Sequence, residues 1–184
     1  MTKIIEPWKT LKSELIFDHP WYKVRRDHVE LPDGQQLDDY FVSVRHNVVL
    51  IFAVTEDEQV VLVRQYKHGI GQILIELPGG VIDEDENAPQ EAARRELLEE
   101  TGYTAHELEL LLAVNDNPTK DTNTTYFFLA RNARQIASQQ LDATENIEVL
   151  TAPLAQIESM ILSGQIRVAG SVALCLLALR KLQR

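Results

Sequence analysis

Two stretches decide how this chain is read: Glu76-Leu77-Pro78-Gly79-Gly80 and Arg95-Glu96-Leu97-Leu98-Glu99-Glu100-Thr101-Gly102-Tyr103. The second predicts a helix over 87–101. Asn87 can cap it, Pro89 is tolerated in its first turn, and Gln90 stands in capping-box position. Gly102 is the expected stop. At 100° per residue, Glu96, Glu99 and Glu100 project within a wedge of roughly 100°. Like charges one turn apart cost roughly 0.2–0.5 kcal/mol a pair unless something neutralises them. Arg95 can pair with Glu91 and Glu99, but Glu96 and Glu100 have no basic partner one turn away. Three converging carboxylates beside a glycine turn are what a hard divalent cation needs, with room left for water and phosphate. The apolar residues Ala93 and Leu97 adjoin the Glu96/Glu100 edge, so these carboxylates are expected at a helix–sheet boundary.

Strands are predicted on both sides of this helix. Tyr22–Leu31 and Leu37–Val44 flank the turn Pro32-Asp33-Gly34. Val48–Val54 and Gln59–Gln65 form a second hairpin, apolar enough to lose clean alternation. Ile73–Leu77 is stopped by Pro78-Gly79-Gly80. Leu108–Val114 and Thr124–Ala130 follow, separated by the polar loop Asn115–Asn123, and then Ile147–Leu150. Pro153–Leu162 reads as an amphipathic helix and Ser171–Leu182 as a buried one. The class is α/β with a mixed sheet, sheet and helix layers enclosing one core.

The chain has 184 residues, 45% of them hydrophobic, and a formal charge of −10. Of that charge, −6 falls between Asp83 and Glu100. Such an acidic balance argues against sequence-independent binding of nucleic acid or docking on anionic lipid. The single cysteine, Cys175, excludes an internal disulfide and any thiolate cluster, and on an apolar helix it reads as core. The longest apolar run is too short to span a bilayer, and no signal-peptide core is evident. A soluble, cytoplasmic protein is the expectation. The five histidines lack metal-ligand spacing. Trp21, Tyr22 and Tyr40 could stack a base, but strand aromatics more often serve core or interface.

Gly80-Val81-Ile82-Asp83-Glu84-Asp85-Glu86, followed after eight residues by Arg95 to Tyr103, resembles the Nudix box, G-x5-E-x7-R-E-U-x-E-E-x-G-U with U bulky and apolar. The box tail matches in full. One residue too many precedes Arg95, so either Glu86 keeps the first Glu position in a longer turn or Asn87 replaces it. The resemblance extends to the ADP-ribose pyrophosphatase-like branch. Val63-Arg64-Gln65-Tyr66-Lys67 is similar to a strand motif of that branch, and Pro118 stands where it carries a proline. Leu141 to Glu148 resembles its acidic loop, and the N-terminal strands resemble its small dimerisation domain. Asn117-Pro118-Thr119 departs from the Ser-Pro-Gly expected there.

The resemblance implies a Nudix α/β/α sandwich over 46–184, preceded by a strand-rich region at 1–45 that makes a homodimer. It implies Mg²⁺ or Mn²⁺ as cofactor, held by Glu96, Glu100, Glu99 and the Gly79 carbonyl. Glu145, Glu99 and Arg95 form the implied catalytic set, with Glu145 as general base and Glu148 its rival. Arg64, Pro118 and Glu148 are the implied substrate contacts. The implied reaction hydrolyses the pyrophosphate of a nucleoside-diphosphate sugar, ADP-ribose first. GDP-mannose is an alternative substrate, and a Nudix-fold sensor that binds without cleaving is an alternative function.

Overall fold

A computed structural model describes residues 4–83, 86 and 88–183. The expected cap Asn87 lies outside the described residues. The chain divides into two compact units, Met1–His46 with Asn115–Asn123, and Asn47–Val114 with Thr124–Arg184.

The first unit is a three-stranded antiparallel sheet of β1 (Lys9–His19), β2 (Tyr22–Glu30) and β3 (Gln36–Val44) in that order. The sequence predicts β2 and β3 but not β1. Every residue of β1 is exposed, so no in–out alternation marks it, and two register shifts interrupt its pairing with β2. The β2–β3 turn is the predicted one: Gly34 has φ +85, and the Asp33 carboxylate accepts from Gln35 N–H at 3.0 Å. The polar loop 115–123, which a boundary at 45/46 assigns to the second domain, packs with β3 instead. Ser43 N–H donates to Lys120 O at 2.7 Å, Tyr40 Oη to Thr119 O at 2.7 Å, and Arg45 pairs with Asp121 at 3.3 Å.

The second unit contains β4 (Val48–Thr55), β5 (Gln59–Lys67), β6 (Gln72–Glu76), α1 (Pro89–Thr101), β7 (Tyr103–Thr104) and β8 (Glu107–Val114). They are followed by β9 (Thr125–Gln135), β10 (Ile147–Pro153), α2 (Ile157–Leu162) and α3 (Ala169–Leu182). The sheet runs β10-β5-β4-β9-β7, with β6 paired to β5 and β8 to β9. It is mixed, because β4 and β9 run parallel while β5 is antiparallel to β4. β4 is buried on both faces. Val49, Ile51 and Ala53 pack with Ala92, Ala93 and Leu97 of α1, whereas Phe52 and Val54 pack with Leu174, Cys175 and Ala178 of α3. Helices on both faces of one sheet make the α/β/α sandwich, and the double burial explains the lost alternation. Burial pushes the Cys175 thiol up to about 12, as befits a core residue. Pro153 ends β10 rather than opening a helix; α2 is shorter than predicted, because 154–156 form a single tight turn before it.

The pairing of β4 with β5 is brief and builds the site. It holds only at Ala53↔Val61 and Val54↔Val60, after which β5 turns to β6. The segment 78–82 fills the gap beside β4. Ile51 N–H donates to Pro78 O and Val49 N–H to Gly80 O, both at 2.9 Å, and Ile82 N–H donates to Asn47 O at 2.9 Å. The backbones approach so closely that a Cβ on Gly79 would overlap Val49 O. Leu77 N–H is anchored from the other face by Ser171 Oγ at 3.0 Å.

Candidate active site

Helix α1 lies over the 78–82 segment because its apolar stripe packs on β4, and this brings its acidic edge down onto the two glycines. Glu96 and Glu100 are both buried. Gly79 N–H donates to Glu100 Oε2 at 2.8 Å. A Cβ on Gly80 would overlap the Glu96 carboxylate, so glycine is required there by contact rather than by backbone angle. The helix begins at Pro89 after Ala88, and the Gln90 amide donates to Leu108 O at 2.9 Å. It ends at Gly102, with φ +73 and its N–H on Leu98 O at 2.8 Å.

Arg95 organises the remaining acids. Its Nε and Nη2 grip Glu86 at 2.9 and 3.1 Å, Nη1 reaches Glu96 at 2.8 Å and Glu99 at 3.1 Å, and Nη2 also donates to Val81 O at 2.9 Å. The two-pronged grip ties Glu86 to the arginine of the motif. Glu96 has no basic partner one turn away, and the base it does meet is the preceding residue, Arg95. Of the three predicted carboxylates, Glu96 and Glu100 face the glycine turn while Glu99 faces Arg95. Among the described residues, no three His, Cys, Asp or Glu side chains stand together in ready-made cation geometry.

Burial marks Glu96 and Glu100 as acids of raised proton affinity. Burial pushes Glu100 up to about 8, against the Gly79 hydrogen bond, with Glu96, Glu145 and Glu76 adding repulsion. Burial likewise pushes Glu96 up to about 7 despite Arg95, and Glu99 and Glu145 add to it. Glu86, by contrast, is held below its ordinary value by Arg95. A backbone carbonyl is within the same turn. The Pro78 and Gly80 carbonyls serve the β4 ladder, which leaves that of Gly79 outside it. Two buried, mutually repelling carboxylates beside a backbone oxygen fit a hard divalent cation.

That fit makes a pH-dependent expectation. The raised values mean that the metal-free fold favours the protonated acids. Their contribution to stability is full below about pH 4.5 and is lost as pH rises through 7 and 8. A cation binds the ionised forms, so added Mg²⁺ should raise the melting temperature more at pH 8.5 than at pH 5.5. Equal increments at both pH values would separate these acids from the metal.

The other predicted residues fall in three places. Glu145 sits in the 138–146 connection, and its charge is felt by both Glu96 and Glu100. Its own Oε2 accepts from Asp142 N–H at 3.0 Å. Arg64 and Glu148 face each other across β5 and β10, and Arg64 Nε donates to Glu148 at 2.7 Å. With Tyr66, Ile73 and Asn146 they line a cavity of about 300 Å³. Pro118 belongs to the N-terminal unit, where it lines a different cavity with Trp8 and Tyr40. Sequence reasoning missed the pair Lys67–Glu76, at 2.6 Å, in which Glu76 is buried near Glu100. Alternation along Ile73–Leu77 was the available signal, since it turns Glu76 to the side opposite Ile75.

Residues 44–167 match the NUDIX domain pattern, and residues 8–43 match the nucleoside diphosphate sugar hydrolase N-terminal domain. The chain belongs to the Nudix family. This Nudix protein is 31% identical to the methanol dehydrogenase activator of Bacillus methanolicus, over 84% of this chain and 82% of that one. It is 29% identical to the ADP-ribose pyrophosphatase of Bacillus subtilis (strain 168), over 86% and 85%. It is also 37% identical to the GDP-mannose pyrophosphatase of Citrobacter koseri, over 65% of each. Among solved structures, a crystal structure of ADP compounds hydrolase superposes with a TM-score of 0.87 at 23% identity, covering 99% of this chain and 97% of that one. No helix among the described residues is long and apolar enough to cross a membrane.

Proposed function

We propose that this Nudix protein is a pyrophosphohydrolase that cleaves a nucleoside-diphosphate sugar, ADP-ribose first, to a nucleoside monophosphate and a sugar phosphate. The observation that carries the reading is the pair Glu96 and Glu100, buried against a glycine turn with raised proton affinity and with Glu145 near both. Glu96, Glu100, the Gly79 carbonyl, and Glu99 once it leaves Arg95 would hold Mg²⁺ or Mn²⁺. Such an ion supplies neutralisation of diphosphate charge and a more acidic bound water.

The chain's own residues do the rest. Arg95 and Glu99 belong to the catalytic set, Arg95 by fixing the placement of Glu96 and Glu99 as a further acid toward the cation. Glu145 takes the proton of the attacking water as its oxygen bonds to one phosphorus and the bridging P–O bond breaks. The departing phosphate leaves as the second phosphomonoester. Arg64 and Glu148 contact substrate, Arg64 by exchanging Glu148 for phosphate oxygens. With 28 Asp and Glu against 18 Lys and Arg, the protein's net charge of −10 repels a polyanion, which a bound cation would offset.

A panel of ADP-ribose, GDP-mannose and related compounds, read by phosphatase-coupled phosphate release with and without EDTA, tests the reading. EDTA-sensitive release, fastest on ADP-ribose, is expected. Fastest release on GDP-mannose would move the substrate to the one named by the Citrobacter relative. Binding without release would make the protein a sensor. The N-terminal sheet exposes the apolar side chains of Leu11, Leu15, Phe17, Trp21 and Tyr22, an exposure that suits a homodimer. Light scattering should give twice the 20.9 kDa chain mass, and the monomer mass at micromolar concentration would refute the dimer.

A further inference from the structure

A helix ends with carbonyls that have no partner inside it. In α1 these are taken up by one downstream segment. Gln140 N–H donates to Glu99 O at 2.9 Å, and Ile136 and Ala137 N–H donate to Gly102 O at 2.9 and 3.2 Å. The Glu100 carbonyl is taken by a side chain, Gln139 Nε2, at 2.6 Å. The same nitrogen donates to Ile147 O at 3.0 Å. A primary amide has two N–H bonds, and here each meets a different element.

The residues so joined are informative. Gln139 and Ile147 bracket the loop that carries Glu145, and Glu100 is one of the two buried acids beneath it. Within the loop Glu145 is held twice against Asp142: its N–H donates to Asp142 O at 2.9 Å, and its carboxylate accepts from Asp142 N–H. The turn 142–145 is therefore a local unit, and its position relative to α1 depends on what ties down its two ends. We infer that Gln139 is a positioning residue, an amide clamp that joins both ends of loop 140–146 to the carbonyl end of α1 and sets the reach of Glu145 over Glu96 and Glu100. The inference rests on the proposed role of Glu145.

Gln139→Met keeps length and flexibility and removes both N–H donors. Hydrogen exchange of amides 140–146 should rise at least about tenfold while that of 92–98 stays unchanged. The kcat should fall about tenfold with KM within about twofold, because misplacement of a base is felt in the transition state. In a Glu145→Gln background the same change should alter kcat by less than about twofold, since the group it positions is already gone. Unchanged exchange would show that there is no clamp. Equal kcat losses in both backgrounds would show that Gln139 supports the site at large and not Glu145. If Glu145→Gln alone leaves kcat intact, the base assignment fails, and the exchange measurement still decides the clamp. Should the Met variant not fold, Gln139→Asn, one methylene too short to span both carbonyls, takes its place with the same expected results.

Discussion

Glu100→Gln should lower kcat at least about 100-fold at saturating substrate while leaving the melting temperature at or above that of the wild type. The amide keeps the shape of the carboxylate, and its oxygen can still accept from Gly79 N–H. It loses the charge that burial and the neighbours Glu96, Glu145 and Glu76 all disfavour, so the metal-free fold gains above neutral pH. The charge is also what a cation needs, so activity and stability should move in opposite directions. A purely structural carboxylate would show neither the loss of rate nor the gain in melting temperature. Glu96→Gln should lose comparable activity with a smaller gain in stability, because it also weakens the hydrogen bond from Arg95. Full activity of Glu100→Gln at limiting metal would end the assignment.

Glu145→Gln should reduce kcat at least about 100-fold and change KM by less than about threefold. A general base acts on the attacking water and contributes little to binding in the ground state. Glu148→Gln is the informative control. The Glu148 carboxylate is already engaged by Arg64 across two strands, so its loss frees a guanidinium and should appear chiefly in KM. The reverse pattern, with a harmless Glu145→Gln and a collapsed kcat for Glu148→Gln, would transfer the role of base to Glu148. Reaction in ¹⁸O-water checks the scheme beneath both variants. Label should enter one of the two phosphomonoesters, whereas orthophosphate with an intact diphosphate would mean cleavage at a terminal phosphate.

The features legible in the sequence are those set by local periodicity. Positions 96 and 100 share a helix face whatever the helix packs on, and Gly102 ends that helix because it takes a left-handed backbone. The paired runs 48–54 and 59–65 gave the hairpin because apolar β-branched residues flank a polar turn. What escaped depends on partners far along the chain. β1 carries no burial pattern, since its sheet covers neither of its faces within one chain, and only its pairing with β2 defines it. The loop 115–123 reads as an ordinary connection, yet Lys120 O and Thr122 N–H both bond to Ser43 of β3, about eighty residues earlier.

The sequence by itself determined the acidic helix, its glycine stop, the alternation of strands and helices, and the family these imply, because each is written in spacings of a few residues. The tertiary structure alone decided which acids turn inward and which partner each one has. β5 leaves β4 after two pairs, the segment 78–82 fills the opening, Gly79 without a Cβ fits against Val49, and Gly80 without one leaves room for the buried Glu96 carboxylate. The raised proton affinities of Glu96 and Glu100 follow from their desolvation, and desolvation is set by the whole packed fold rather than by any stretch of it.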